Sequence, residues 1–126
     1  MAVPDTGQGV ARGLYAAAVD ERFELAEDVA VNLAAACDKL VEDLGAALTA
    51  SEAAAAVSGF PDLPTGRALA AGFAAKGGQL RATVAAFQET ALLFKAAYLA
   101  AGHRLAEAEA AHRAALHAVA DYLDQR

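Results

Sequence analysis

The stretch GFAAKGGQLRATVAAFQETALLFKAAYLAAGHRL, residues 72–105, decides the fold. Phe73, Leu80, Phe87, Phe94 and Ala101 recur every seven residues, and Gly77, Val84, Ala91, Tyr98 and Leu105 interleave four later. Apolar a and d positions sustained over about five heptads mark a helix that packs along its length against other helices. Bulky aromatics alternate with glycine and alanine along this seam, so a neighbouring helix is expected to approach closely opposite the small positions. An ordinary core stripe and a partner-binding seam both account for the pattern.

Toward the N-terminus, Ser58-Gly59-Phe60-Pro61-Asp62-Leu63-Pro64-Thr65-Gly66 interrupts helical sequence with two prolines and two glycines. It reads as a hairpin loop over about 58–65, with Gly59, Phe60, Pro61 and Pro64 making the turn. Before it, Leu33, Cys37, Leu40, Leu44 and Leu48 recur at spacings of four and three, while Asp38, Lys39, Glu42 and Asp43 take the other face. Glu24, Glu27 and Asp28 lie near the start of that helix, where the positive end of its dipole favours acids. The expected fold is all-α: an antiparallel helical hairpin over 23–126 with a long second helix, pairing into a helical bundle. An N-terminal segment, 1–22, with helical periodicity in part of it, precedes it. Helices near 24–57 and 66–100 should meet through Leu33, Leu40, Leu44 and Leu48 on one side and Phe73, Leu80, Val84, Phe87 and Phe94 on the other.

The arms are unequal. A helix from Thr65 to Asp124 would run about 90 Å, against about 45 Å for Glu27 to Val57. Either residues 8–22, with Val10, Leu14 and Ala18 in step, extend the first arm, or the second arm folds back near Gly102; Gly77-Gly78 is another candidate bend. A continuous or slightly kinked second arm is the reading favoured here.

Composition limits the function. With 126 residues the chain is one domain. Apolar residues make up 57% of it, but most of that share is alanine, which forms helix readily and buries little surface. A charge of -6 opposes binding to nucleic acid or anionic lipid, since an acidic surface releases no counterions from either. The opening Met1-Ala2-Val3-Pro4-Asp5 has no basic start and no apolar core, and no later stretch is apolar enough to span a bilayer, so neither a signal peptide nor stable membrane insertion is expected. The single cysteine, Cys37, reads as a packed thiol.

No catalytic, cofactor or metal site is expected. His103 and Glu107 lie four apart, as do His117 and Asp121, so each pair reads as a surface ion pair; His112 and His117 are turned about 140° from each other and build no shared metal site. Ser51 and Ser58 flank a helix end, and the glycines match neither phosphate-binding fingerprint.

The order of features resembles a known family. Phe23-Glu24-Leu25 opens an acidic helix, a glycine-containing hairpin follows, and Leu69-Ala70-Ala71-Gly72-Phe73-Ala74-Ala75-Lys76 leads into the long seam. Across roughly residues 23–110 this is similar to the small helical-hairpin (WXG-type) proteins of actinobacterial type VII, or ESX, secretion. The resemblance implies an antiparallel hairpin that forms a homodimer or heterodimer, a four-helix bundle, with another helical hairpin protein. Two departures stand out. The chain has no tryptophan, so Ser58-Gly59-Phe60 stands where the family's Trp-x-Gly turn would be. The family's Tyr-x-x-x-Asp/Glu export signal is reduced to Leu105 and Glu109, the acid without the tyrosine. The resemblance therefore implies a dimer partner or targeting chaperone of a secreted helical protein, cytoplasmic by itself and leaving the cell only in complex. Phe73, Leu80, Val84, Phe87, Phe94, Tyr98 and Leu105 would form the partner-binding seam. A structural or scaffolding coiled-coil module unrelated to secretion is the alternative.

Overall fold

A computed structural model describes residues 4–55 and 64–124, apart from the side chains of residues 53–55, 70, 73, 74 and 122–124. Four helices follow one another: α1 (Gln8–Val19), α2 (Glu27–Ala55), α3 (Pro64–Ala101) and α4 (Leu105–Asp124). No strand occurs among the described residues. Pro64 opens α3, where its missing N–H is no loss and its fixed φ suits the first turn. Gly59, Phe60 and Pro61 of the expected turn lie outside the described residues.

α3 is the axis of the bundle, and each of the other three helices packs on it. α2 runs antiparallel to it. Glu52 pairs with Arg81, the Val41 carbonyl accepts from Gln88 Nε2 at 3.2 Å, Asp38 pairs with Lys95 at 2.8 Å, and the Leu25 N–H donates to the Ala101 carbonyl at 3.0 Å. α1 runs parallel to α3, with Thr6 beside Thr90 at its start and Ala18 against Leu99 and Ala101 at its end. α4 returns antiparallel, placing Ala108 near Leu99 and Ala115 near Leu93 and Ala11.

The second arm is therefore not continuous. It ends at Ala101, and the chain folds back there through a left-handed cap. Gly102 lies so close to α2 that an added Cβ would clash with the Ala30 Cβ. His103 then takes a left-handed φ of 64°, and its N–H donates to the Ala100 carbonyl while that of Arg104 donates to Leu99, which closes a Schellman cap. α1 ends in the same way, with Glu21 at φ 62° and the N–H groups of Glu21 and Arg22 donating to Ala18 and Ala17. Both caps carry a side chain where glycine is usual. So residues 8–19 do not lengthen the first arm, and residues 105–124 do not lengthen the second: each is a separate helix laid against α3.

Fifteen of the eighteen buried apolar residues are alanine, the others being Val84, Leu93 and Leu99. Methyl groups let helix backbones approach to the short end of the usual 8–10 Å range, and large side chains are pushed to the flanks of each contact. This corrects the expected seam on α2. Ala30, Ala34, Cys37, Val41, Leu44, Gly45 and Leu48 form its inner side, and Leu33 and Leu40 lie exposed beside it.

Two consequences are measurable by urea unfolding. Leu99→Ala should lower stability by about 2–4 kcal/mol, because Leu99 joins α1, α3 and α4 and the site can collapse only partly. Glu21→Gly and His103→Gly should each raise it by about 1 kcal/mol, by relieving the left-handed conformation. An unchanged midpoint for Leu99→Ala would contradict the core described here.

Candidate functional site

At about 100° per residue, the contacts place three helices around the C-terminal half of α3 and leave one sector open. Ala86, Thr90, Leu93 and Ala97 point toward α1. Ala85 and Arg81 line a groove with His117, Ala118 and Asp121 of α4. Val84, Ala91, Gln88 and Lys95 lie toward α2. The remaining sector, between α2 and α1, carries Leu80, Phe87 and Phe94.

Neighbouring helices extend this sector into a face. On α2 the contact with α3 has two edges: Asp38 meets Lys95 on one, and Cys37 lies near Tyr98 on the other. With the register set by the Asp38–Lys95 and Leu25–Ala101 contacts, Val29, Leu33, Ala36 and Leu40 continue the Cys37 edge beside Phe94 and Tyr98, while Phe87 and Leu80 lie further along α3, toward the Arg81–Glu52 pair. On α1, Tyr15 stacks on His112 of α4 at 5.1 Å, which turns Val10 and Leu14 to the opposite side, toward Phe94. Phe87 is 44% exposed, Leu40 48% and Val10 71%, with Leu33, Leu80 and Val29 also exposed. The exposed apolar residues on this side come from three helices, which makes it the candidate interaction surface.

The expected seam residues thus divide. Val84 is buried beneath α2, Phe94 and Tyr98 are half-buried and stack at 6.0 Å, and Leu80 and Phe87 face outward. The side chain of Phe73 lies outside the described residues. Leu105 is not on this seam: it opens α4, 53% exposed, with Glu109 one turn further along the same side. Sequence periodicity missed the α1 and α2 contributions. The signal was there in Leu33 and Leu40, a heptad apart, and in Val10, out of step with the buried Ala11 and Ala18.

At the helix contacts, polar side chains link one helix to another. Burial raises the Cys37 thiol above its ordinary range, with Asp38 adding to the effect and Lys95 opposing it. Tyr98 is raised by the same cause, burial first and then Cys37. Neither shift activates a nucleophile, because both disfavour the anion. Glu89 is buried and meets Arg12 of α1 at 3.6 Å. The expected pair of His103 with Glu107 is replaced: the helix break turns His103 toward Glu24 at 3.9 Å, and Arg104 takes Glu107 while donating to Glu27 at 2.8 Å. Among the described residues, no three His, Cys, Asp or Glu side chains come together as metal ligands would, and no helix is long and apolar enough to cross a membrane. Compared with protein-family models, curated proteins and solved structures, the chain matches none.

Proposed function

We propose that this chain is a non-catalytic helical partner protein, which receives another helical protein on the open face between α1 and α2. The observation that carries this reading is Phe87, exposed on α3 in the sector that α1, α2 and α4 leave open, with exposed Leu80 on one side of it and Phe94, Leu40 and Val10 further along the other. Covering a large aromatic ring and the leucines around it is favourable at roughly 25 cal/mol per Å² of apolar surface removed from water. A helix laid along α3 would cover all of them. In the reading that the type VII resemblance implies, the occupant is a secreted helical protein, and this chain is its dimer partner or targeting chaperone. The exposed Leu105 and Glu109 at the start of α4 support the role of partner rather than free-standing substrate, since the position that would bear the signal's tyrosine carries leucine.

The face is tested by Phe87→Lys. Its side chain is outside the core, so unfolding should change by less than about 1 kcal/mol. Self-association in sedimentation, or capture of a co-expressed helical hairpin protein encoded beside it, should fall at least tenfold. A variant that unfolds, or one that associates as the parent does, would contradict the reading. The secretion reading has its own test in Leu105→Tyr, which recreates Tyr-x-x-x-Glu with Glu109. In a host with a type VII system, the parent chain alone should stay in the cell and the variant should appear in the medium. Association through Phe87 with no effect of Leu105→Tyr, alone or with a partner, would favour the scaffolding module over the secretion partner.

A further inference from the structure

We propose that α4 is a hinged flap: the bend at Gly102–Arg104 straightens, lifting α4 from α3 and joining the two into one long helix. This does not rest on which protein occupies the open face, because it concerns the opposite side of α3. Three observations carry it. First, the heptad phase of α3 passes through the bend without a break. Phe94 and Ala101 continue as Ala108 and Ala115, and Tyr98 continues as Leu105, His112 and Val119. The residues that hold α4 down, Ala108 and Ala115, are thus the ones that would extend the seam if the helix were straight. The same side chains serve two packings, which is the condition for a two-state element.

Second, no residue at the bend forbids a straight helix. No proline stands between Pro64 and Arg126, so no residue in this span lacks the N–H a helix needs. The break rests on the cap, in which His103 adopts a left-handed φ that its side chain disfavours. Third, the contacts that close the flap are small or exposed. The buried side chains of α4 are the methyl groups of Ala108, Ala111 and Ala115. Beyond them stand the Tyr15–His112 stack and the clasp of Arg104 on Glu27 and Glu107, whose carboxylates are solvent-exposed. Opening would bare Leu93, Leu99 and Ala85 of α3, and would carry the seam of residues 105–119 clear of the bundle.

Pulsed electron paramagnetic resonance between spin labels at Gln79 and Ala120, in a Cys37→Ser background, reads the two states directly. Folded back, the pair is close, since Asp121 and Arg81 line one groove. Along a straight helix the separation is about 60 Å. The full chain should give mostly the short distance with a minor population at the long one. His103→Gly should reduce the long population roughly tenfold by relieving the strained bend. Ala115→Glu, which places a charge under α4, should make the long distance predominate while helix content by circular dichroism is kept. Should Ala115→Glu lose helix content, Ala111→Glu, the same change one turn earlier on α4, decides. A short distance alone in the parent and in every folded variant would overturn the proposal.

Discussion

The close approach that alanine allows is the constraint on which this structure depends. Around α3, methyl groups at Ala86, Ala91, Ala96, Ala97 and Ala101 meet methyl groups at Ala11, Ala18, Ala30, Ala34, Ala108 and Ala115. Each contributes only about 0.8 kcal/mol by burial, so no single contact is decisive and the sum over three helix pairs is what holds the domain. Polar links confirm the register rather than supply the energy. The Asp38–Lys95 and Arg81–Glu52 pairs are partly or wholly exposed, where such pairs contribute between zero and about 1 kcal/mol.

An alanine core has a geometric cost that becomes the functional feature. When backbones draw together, the side chains too large for the gap are moved to its edges. Leu33 and Leu40 are displaced in this way on α2, as are Leu80 and Phe87 on α3. Since α1 and α4 occupy two sectors around α3 and α2 a third, the displaced residues collect in the sector that remains. The packing that forms the fold thus covers one side of the long helix and leaves apolar side chains exposed on the other, which is the surface that the proposed partner would cover.

The helical class, the start of α3 just after the Pro-Gly cluster and the acidic start of α2 were all legible in the heptads, that cluster and the charge pattern. The break at Gly102 was legible only as one alternative among several. A lone glycine is tolerated within a helix, and what ends α3 is the left-handed turn at His103, after which Arg104 reaches Glu27 of α2, a residue far away in the chain. That contact is a tertiary event with no local mark. The face was half legible for a related reason. Large apolar residues draw the eye when a helix is read for its core side, yet in an alanine-rich chain they border the contact and alanine fills it. Reading Ala11 and Ala18, or Ala108 and Ala115, as the buried seam would have placed α1 and α4 correctly.

Whether the Phe87 face is open in the free chain and closed in the assembly is the central claim, and hydroxyl-radical footprinting tests it most directly. In the dilute isolated chain, Phe87 and Leu80 should be oxidised readily while Leu93 and Leu99, 1% and 2% exposed, are protected. On association, through self-assembly or with a co-expressed partner, Phe87, Leu80 and Leu40 should become protected together, and Leu116 of α4 should stay reactive. Protection of Phe87 already in the free monomer, or unchanged reactivity at all three positions in the assembly, would contradict the account.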